Sequence, residues 1–241
     1  AVLAVPEPLV EQAKGTPGAA AWVRAVPPNH PQGSPEMLAR TLGAGWALRL
    51  DGSRVLGNTL VMPLERLVAL APCLAQGRAH VEKIVTVSVA GTDQRRNLRV
   101  RIGTPIADLL AHLEIPAPVG GKLILGGPLC GDAAYSLEQP VTAGTDALLV
   151  QPAEAVTPYH DSACTNCGLC NAVCPVDLQV NLLGRYAEYG FYEKCRELVV
   201  DNCIECGLCA YVCPARRPLV QYFRQAKSVL RKEREEAMEQ A

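Results

Sequence analysis

Two cysteine runs constrain this chain more than any other feature. The first reads Cys164-Thr165-Asn166-Cys167-Gly168-Leu169-Cys170-Asn171-Ala172-Val173-Cys174-Pro175. The second reads Cys203-Ile204-Glu205-Cys206-Gly207-Leu208-Cys209-Ala210-Tyr211-Val212-Cys213-Pro214. Both follow a C-x2-C-x2-C-x3-C-P pattern. Three closely spaced thiolates can wrap one corner of an iron–sulfur cube, leaving one iron to be ligated from elsewhere.

Paired structural zinc sites are the main rival, since C-x2-C is also a zinc half-site. Zinc takes four tetrahedral ligands, usually as two separated pairs, whereas here a longer unit ending in proline occurs twice. A disulfide framework fits worse, because such scaffolds are typically short secreted chains. In bacterial two-cluster ferredoxins with this run, the fourth cysteine points back to the other cluster. The pattern therefore assigns Cys164, Cys167, Cys170 and Cys213 to one [4Fe–4S] cluster. It assigns Cys203, Cys206, Cys209 and Cys174 to the other.

At 241 residues the chain has room for two or three modest domains. A net charge of −1 gives no footprint for nucleic acid. Of the 11 cysteines, Cys73, Cys130 and Cys195 stand outside the runs and are expected as small buried hydrophobes. Unpaired thiols beside cluster ligands fit a reducing compartment, the cytosolic side. Residues 1–20 carry one base, Lys14, and are broken by Pro6, Pro8 and Pro17, so no targeting signal is expected. No stretch supplies about 18 consecutive apolar residues, so no direct membrane span is expected.

Residues 1–36 hold seven of the 19 prolines and are expected to be irregular or extended. A helix should open at Pro35, a short strand lie at residues 47–50, and a second helix span residues 64–74 after Pro63. From residue 81 the period changes. Val85, Val87 and Val89 alternate with Thr86 and Ser88, Gly91-Thr92-Asp93 turns the chain, and Leu98, Val100 and Ile102 alternate on the return. Thr104-Pro105 should then cap a helix with Ile106, Leu109, Leu110 and Leu113 on one face, followed by strands at residues 122–125 and 147–150. A hairpin, a crossing helix and a return to the sheet suggest a β-grasp arrangement. Between the cysteine runs, Leu178, Leu182, Leu183 and Tyr186 recur at helical spacing, and residues 191–199 form a second short helix. A last helix carries Leu219, Tyr222, Phe223, Ala226 and Leu230 as one stripe. The helix is expected to be a docking element of mixed role, with Leu219 to Phe223 packed inside and the charged tail beyond Leu230 free or partner-facing.

Several segments together resemble the RnfC subunit of Rnf-type electron-transport complexes. They are Arg101-Ile102-Gly103-Thr104-Pro105, Ile124-Leu125-Gly126-Gly127-Pro128, the paired cysteine runs and Pro218-Leu219-Val220-Gln221-Tyr222-Phe223-Arg224. Pro31-Gln32-Gly33 and the strand at residues 85–89 add to it, and the resemblance covers about residues 28–232. It implies a Rossmann-like flavin and NADH domain, a soluble-ligand-binding β-grasp domain and a dicluster module, in that order. The chain departs from that order at the front. A dinucleotide site needs a glycine-rich turn that lets backbone N–H groups approach phosphate. Gly15/Gly18 and Gly43/Gly45 have the wrong spacing, and Gly126-Gly127 falls in the β-grasp region.

The expected fold is therefore α+β. It comprises an irregular Pro-rich segment (1–36), a Rossmann-like remnant (37–80), a β-grasp domain (81–154), a helical two-[4Fe–4S] ferredoxin domain (155–217) and a C-terminal helix (218–241). The expected function is single-electron relay through two [4Fe–4S] clusters within a larger oxidoreductase complex, with no flavin. Backbone amides near Gly168 and Gly207 are candidate donors to sulfur, and Ile204, Leu169, Leu208, Val173 and Val212 should exclude water. His30, His80, His112 and His160 read as surface or satisfied histidines. The expected partners are other subunits of a redox complex, membrane-embedded ones included, and no nucleic acid. The expected location is cytoplasmic, peripheral on the inner face of the membrane through those partners. The alternative is a flavin- or corrinoid-linked NADH-dependent reductase subunit whose nucleotide site another chain supplies.

Overall fold

The computed structural model describes residues 2–16, 22–43, 47–48, 54–55, 60–157 and 162–239. Expectations falling on Gly18, Gly45, Arg49, Leu50 and His160 lie outside the described residues. The fold is mixed α/β. Its residues gather into two compact units, Ala1–Pro63 with Ser162–Ala241, and Leu64–Asp161.

The front of the chain is more regular than its prolines suggest. Strands β1 (Leu3–Pro6) and β2 (Val23–Val26) pair in parallel, with the short helix α1 (Val10–Lys14) between them. Val5, Val23 and Val26 are buried. The prolines stand where a missing N–H disrupts little. Pro6 closes β1, Pro8 lies in the 3-10 turn Glu7–Leu9, and Pro27, Pro28 and Pro31 follow β2. Helix α2 (Pro35–Thr41) starts on Ser34, whose Oγ accepts the Met37 N–H at 3.3 Å. Two short strands, β3 (Ala47–Leu48) and β4 (Arg54–Val55), pair antiparallel.

The second unit begins with α3 (Leu64–Gln76), directly after Pro63. It continues through β5 (Glu82–Val89), β6 (Arg95–Arg101), α4 (Ile106–His112), β7 (Lys122–Leu125), β8 (Asp132–Ala133) and β9 (Ala147–Gln151). Their sheet runs β6-β5-β9-β7-β8, with β5 antiparallel to β6 and parallel to β9. The period-two pattern sends Val85, Val87, Val100, Leu148 and Val150 to one face, where Ile106, Leu109 and Leu110 of α4 cover them. Thr104 does not cap α4. Pro105 is its N-cap without a side-chain bond, and the Thr104 carbonyl instead accepts the Val141 N–H at 2.8 Å. Lys83 is buried and pairs with Glu65 at 3.2 Å and Asp146 at 2.6 Å. Glu65 also accepts the Ile84 N–H at 2.7 Å, so one carboxylate fastens α3 to β5.

After Ser162 come α5 (Leu169–Ala172), α6 (Val180–Glu188), α7 (Tyr192–Glu197), α8 (Leu208–Tyr211) and α9 (Leu219–Glu239). Their core contains Leu183, Cys195, Val200, Phe223, Ala226 and Leu230, all fully buried. Each buried Leu or Phe stabilises by about 1.5–3 kcal/mol relative to exposure, so α9 is integral to this unit. Gly184 lets α6 and α9 approach closely, since a Cβ there would come within 2.7 Å of Leu219 Cδ2. The charged end of α9 is less free than its composition suggests. Arg234 pairs with Asp201 at 2.8 Å and Glu233 with Arg196 at 2.9 Å. Of the three cysteines outside the runs, only Cys195 is buried; Cys73 is half-buried and Cys130 exposed.

Candidate metal centre

The two cysteine runs share one backbone path. Gly168 and Gly207 take left-handed φ of 78° and 81° as N-caps of α5 and α8, turning each run into its short helix. Asn166 and Glu205 match at φ 56° and 55°, and Asp177 and Arg216 at 56° and 49°. Equivalent left-handed residues fold each run the same way and set the two side by side.

This arrangement produces two thiol-lined hollows. One is walled by Cys164, Cys167, Cys170 and Cys213, with Asn166, Asn181, Gly184, Arg217 and Leu219. The other is walled by Cys174, Cys203, Cys206 and Cys209, with Leu178, Val180, Glu205, Val220 and Phe223. All eight cysteines singled out by spacing thus stand in two groups, each with three thiols of one run and the fourth of the other. Among the described residues, no group of three or more His, Cys, Asp or Glu side chains is arranged to hold a single metal ion. The thiols surround a space instead.

The hollows differ in environment. Cys203 and Cys209 are each 8% exposed, whereas Cys167 lies at the surface. Burial pushes the Cys209 thiol up to about 12, with neighbouring Cys203 and Cys206 adding to the rise. Burial likewise raises Cys203 and Cys170. Thiols held protonated in this way ionise when a cationic metal centre competes for them, so loading releases protons. Backbone N–H groups of Leu178 and Glu205 reach Cys174 Sγ and Cys203 Sγ, each at 3.4 Å. Glu205 lies two residues from Gly207, where a donor was expected, whereas Leu178 is remote from Gly168; the two glycines themselves supply the turn.

The first hollow has an asparagine lattice. Asn171 Nδ2 donates to Asn181 Oδ1 at 2.9 Å, the Asn181 N–H returns to Asn171 Oδ1 at 3.0 Å, and Asn181 Nδ2 reaches Asn166 Oδ1 at 3.3 Å. The second hollow has an ion cluster. Glu205 accepts from Arg224 Nε at 2.8 Å and Lys227 Nζ at 2.7 Å. Burial would raise that carboxyl, but the two cations outweigh it and hold the group below the usual carboxylate value. Arg217, buried in the first wall, pairs with Glu188 and lies 5.6 Å from the Tyr222 ring centre.

The front of the chain also touches the runs. His30 Nε2 lies 2.6 Å from the Cys206 carbonyl, and an Arg40 guanidinium nitrogen donates to the Pro175 carbonyl at 2.8 Å. His30 is thus a satisfied surface histidine. Of the residues expected to exclude water, Ile204 and Leu208 line the second hollow. Leu169 does not serve that purpose, being 48% exposed. Leu178, Val180, Leu219, Val220 and Phe223 supply the apolar wall instead. Arg217, Glu205 and the asparagines were also missed, although laying one run over the other reveals them as unequal pairs.

Comparison with known proteins bears first on the cysteine-rich domain. Residues 158–214 match the 4Fe–4S dicluster domain family. More particularly, the chain is similar to the RnfC component of the ion-translocating oxidoreductase complex of Pasteurella multocida, 32% identical over 207 residues, 86% of this chain and 25% of that one. The component of the same name in Methanosarcina acetivorans is 33% identical over 182 residues, 76% of this chain and 40% of the relative. Its counterpart in the proton-translocating ferredoxin:NAD(+) oxidoreductase complex of Clostridium ljungdahlii is 30% identical over 224 residues, 92% of this chain and 49% of the relative. The chain thus spans between a quarter and half of the length of these curated relatives.

Proposed function

We propose that this chain relays single electrons through two [4Fe–4S] clusters as part of a multi-subunit, ion-translocating oxidoreductase. Cys164, Cys167, Cys170 and Cys213 would hold one cluster, and Cys203, Cys206, Cys209 and Cys174 the other. One observation carries the reading: each hollow is lined by three thiols of one run and the fourth thiol of the other. Such a cluster accepts and returns one electron at a time, at a potential tuned by burial, charge and hydrogen bonds to sulfur. The chain's residues accordingly exclude water with Leu219, Val220 and Phe223, and aim backbone N–H groups at sulfur from Leu178 and Glu205.

We assign residues 37–80 to a Rossmann-like remnant and 81–154 to a β-grasp domain. The hairpin β5–β6, the crossing helix α4 and the central parallel pair β5–β9 support the second assignment. Neither carries a glycine-rich phosphate turn, so the proposal excludes flavin and hydride chemistry on this chain. Among the described residues no helix is long and apolar enough to cross a membrane. We further propose that attachment to a membrane complex runs through partner subunits, on its cytoplasmic face.

The deciding experiment is metal and sulfide analysis of the anaerobically purified chain. About eight irons and eight acid-labile sulfides per chain are expected, four of each per cluster. Two zinc ions per chain and no labile sulfide would overturn the proposal.

A further inference from the structure

The two hollows are built on a repeated backbone, and among the equivalent positions that differ in charge one places a buried guanidinium in a hollow wall. Leu178 stands third after Pro175, and Arg217 stands third after Pro214. Each lines a hollow, Leu178 the second and Arg217 the first. A leucine therefore suffices for the packing role at this position. A guanidinium there instead must be desolvated, a cost that Glu188 and Tyr222 together outweigh.

The charge is held in a fixed orientation. The Arg217 side chain is 5% exposed, pairs with Glu188 and stacks near the Tyr222 ring. Among the described residues, Arg217 lines the first hollow and Glu188 does not, so it is the cationic member of the pair that borders the four thiols. Adding one electron in that hollow adds one negative charge. A nearby buried cation favours this electrostatically.

We propose that the Arg217–Glu188 pair sets the electron affinity of the site formed by Cys164, Cys167, Cys170 and Cys213, with Arg217 raising it and Glu188 tempering it. The proposal rests on the two-cluster reading. It makes the two sites unequal, with the more accessible one, where Cys167 meets solvent, stabilised as an electron's resting place.

The test is an EPR-monitored redox titration of the full anaerobic chain and three variants, with iron content measured on each. Arg217→Gln should lower one midpoint potential so that, at a fixed solution potential, the reduced-to-oxidised ratio falls about tenfold, or ~59 mV for a one-electron couple. The other midpoint should stay in place. Arg217→Lys should restore most of the shift, and Glu188→Gln should move the same midpoint upwards. A purely structural pair would give shifts of one sign or none, which would overturn the proposal. If Arg217→Gln loses iron, the direction of the Glu188→Gln shift decides. A wild-type chain without clusters would instead refute the two-cluster reading itself.

Discussion

Lys227 Nζ donates to the Cys203 carbonyl oxygen at 2.6 Å and to the Glu205 carboxylate at 2.7 Å. One lysine of α9 thereby ties the C-terminal helix to the start of the second cysteine run. Its side chain is 12% exposed, so water replaces these bonds poorly if they are broken. Lys227→Met should lower the stability of the loaded chain by about 1.5–3 kcal/mol, the range for hydrogen bonds to charged groups. Urea unfolding followed by circular dichroism measures this; an unchanged midpoint and slope would show the tie to be dispensable.

Cys174→Ser should damage the site formed by Cys203, Cys206 and Cys209, leaving its own sequence neighbours loaded. Cys174 lies in the wall of that hollow, although it belongs to the first run. Spectroscopy of the variant should show one cluster with Cys164, Cys167, Cys170 and Cys213 as ligands. Loss confined to the first site would contradict the crossed assignment.

The chain alone should carry no flavin and should not oxidise NADH. Acid precipitation followed by fluorescence of the supernatant tests the first expectation, and NADH-dependent dye reduction tests the second. Stoichiometric FMN would favour a reductase subunit that still takes part in hydride chemistry.

Glu65→Gln should destabilise the unit from Leu64 to Asp161 by about 1–3 kcal/mol, since it leaves buried Lys83 with one fewer anion. The bond from the Ile84 N–H, followed by Lys83, holds Glu65 below the ordinary carboxylate value of 4.5 despite some opposing burial. A depressed folded value gives stability that is full above the unfolded value and lost as pH falls through the folded one. Acid unfolding of the wild type should therefore steepen below pH 4.5, and Glu65→Gln should flatten that slope. Identical acid profiles would reject this role.

The grouping of the eight cysteines was legible in the sequence because they are spaced locally. Cysteines within one turn of chain must face one point, and the repeat supplies the fourth of each set. The strands at residues 122–125 and the buried stripe of Phe223, Ala226 and Leu230 were legible for a similar reason, since period follows burial. Contacts joining distant positions left no local trace. Nothing near His30 announces the Cys206 carbonyl, and nothing near Arg234 announces Asp201. The β1–β2 pairing was hidden by prolines that stand at element ends, where they do no harm. Thr104 misled because a threonine before proline looks like a cap, while its carbonyl is committed to Val141.

Helix α9 comes after both cysteine runs in the chain, and consecutive residues on it finish both hollows: Leu219 the first, Val220 the second. Because the chain emerges N-terminus first, both runs leave the ribosome ahead of the residues that complete that wall. A nascent chain can display all eight thiols and still leave them open to water and oxidants. Loading of the proposed clusters would then follow emergence of this helix, and a chain truncated between Pro214 and Leu219 would leave its thiols the most open to oxidation.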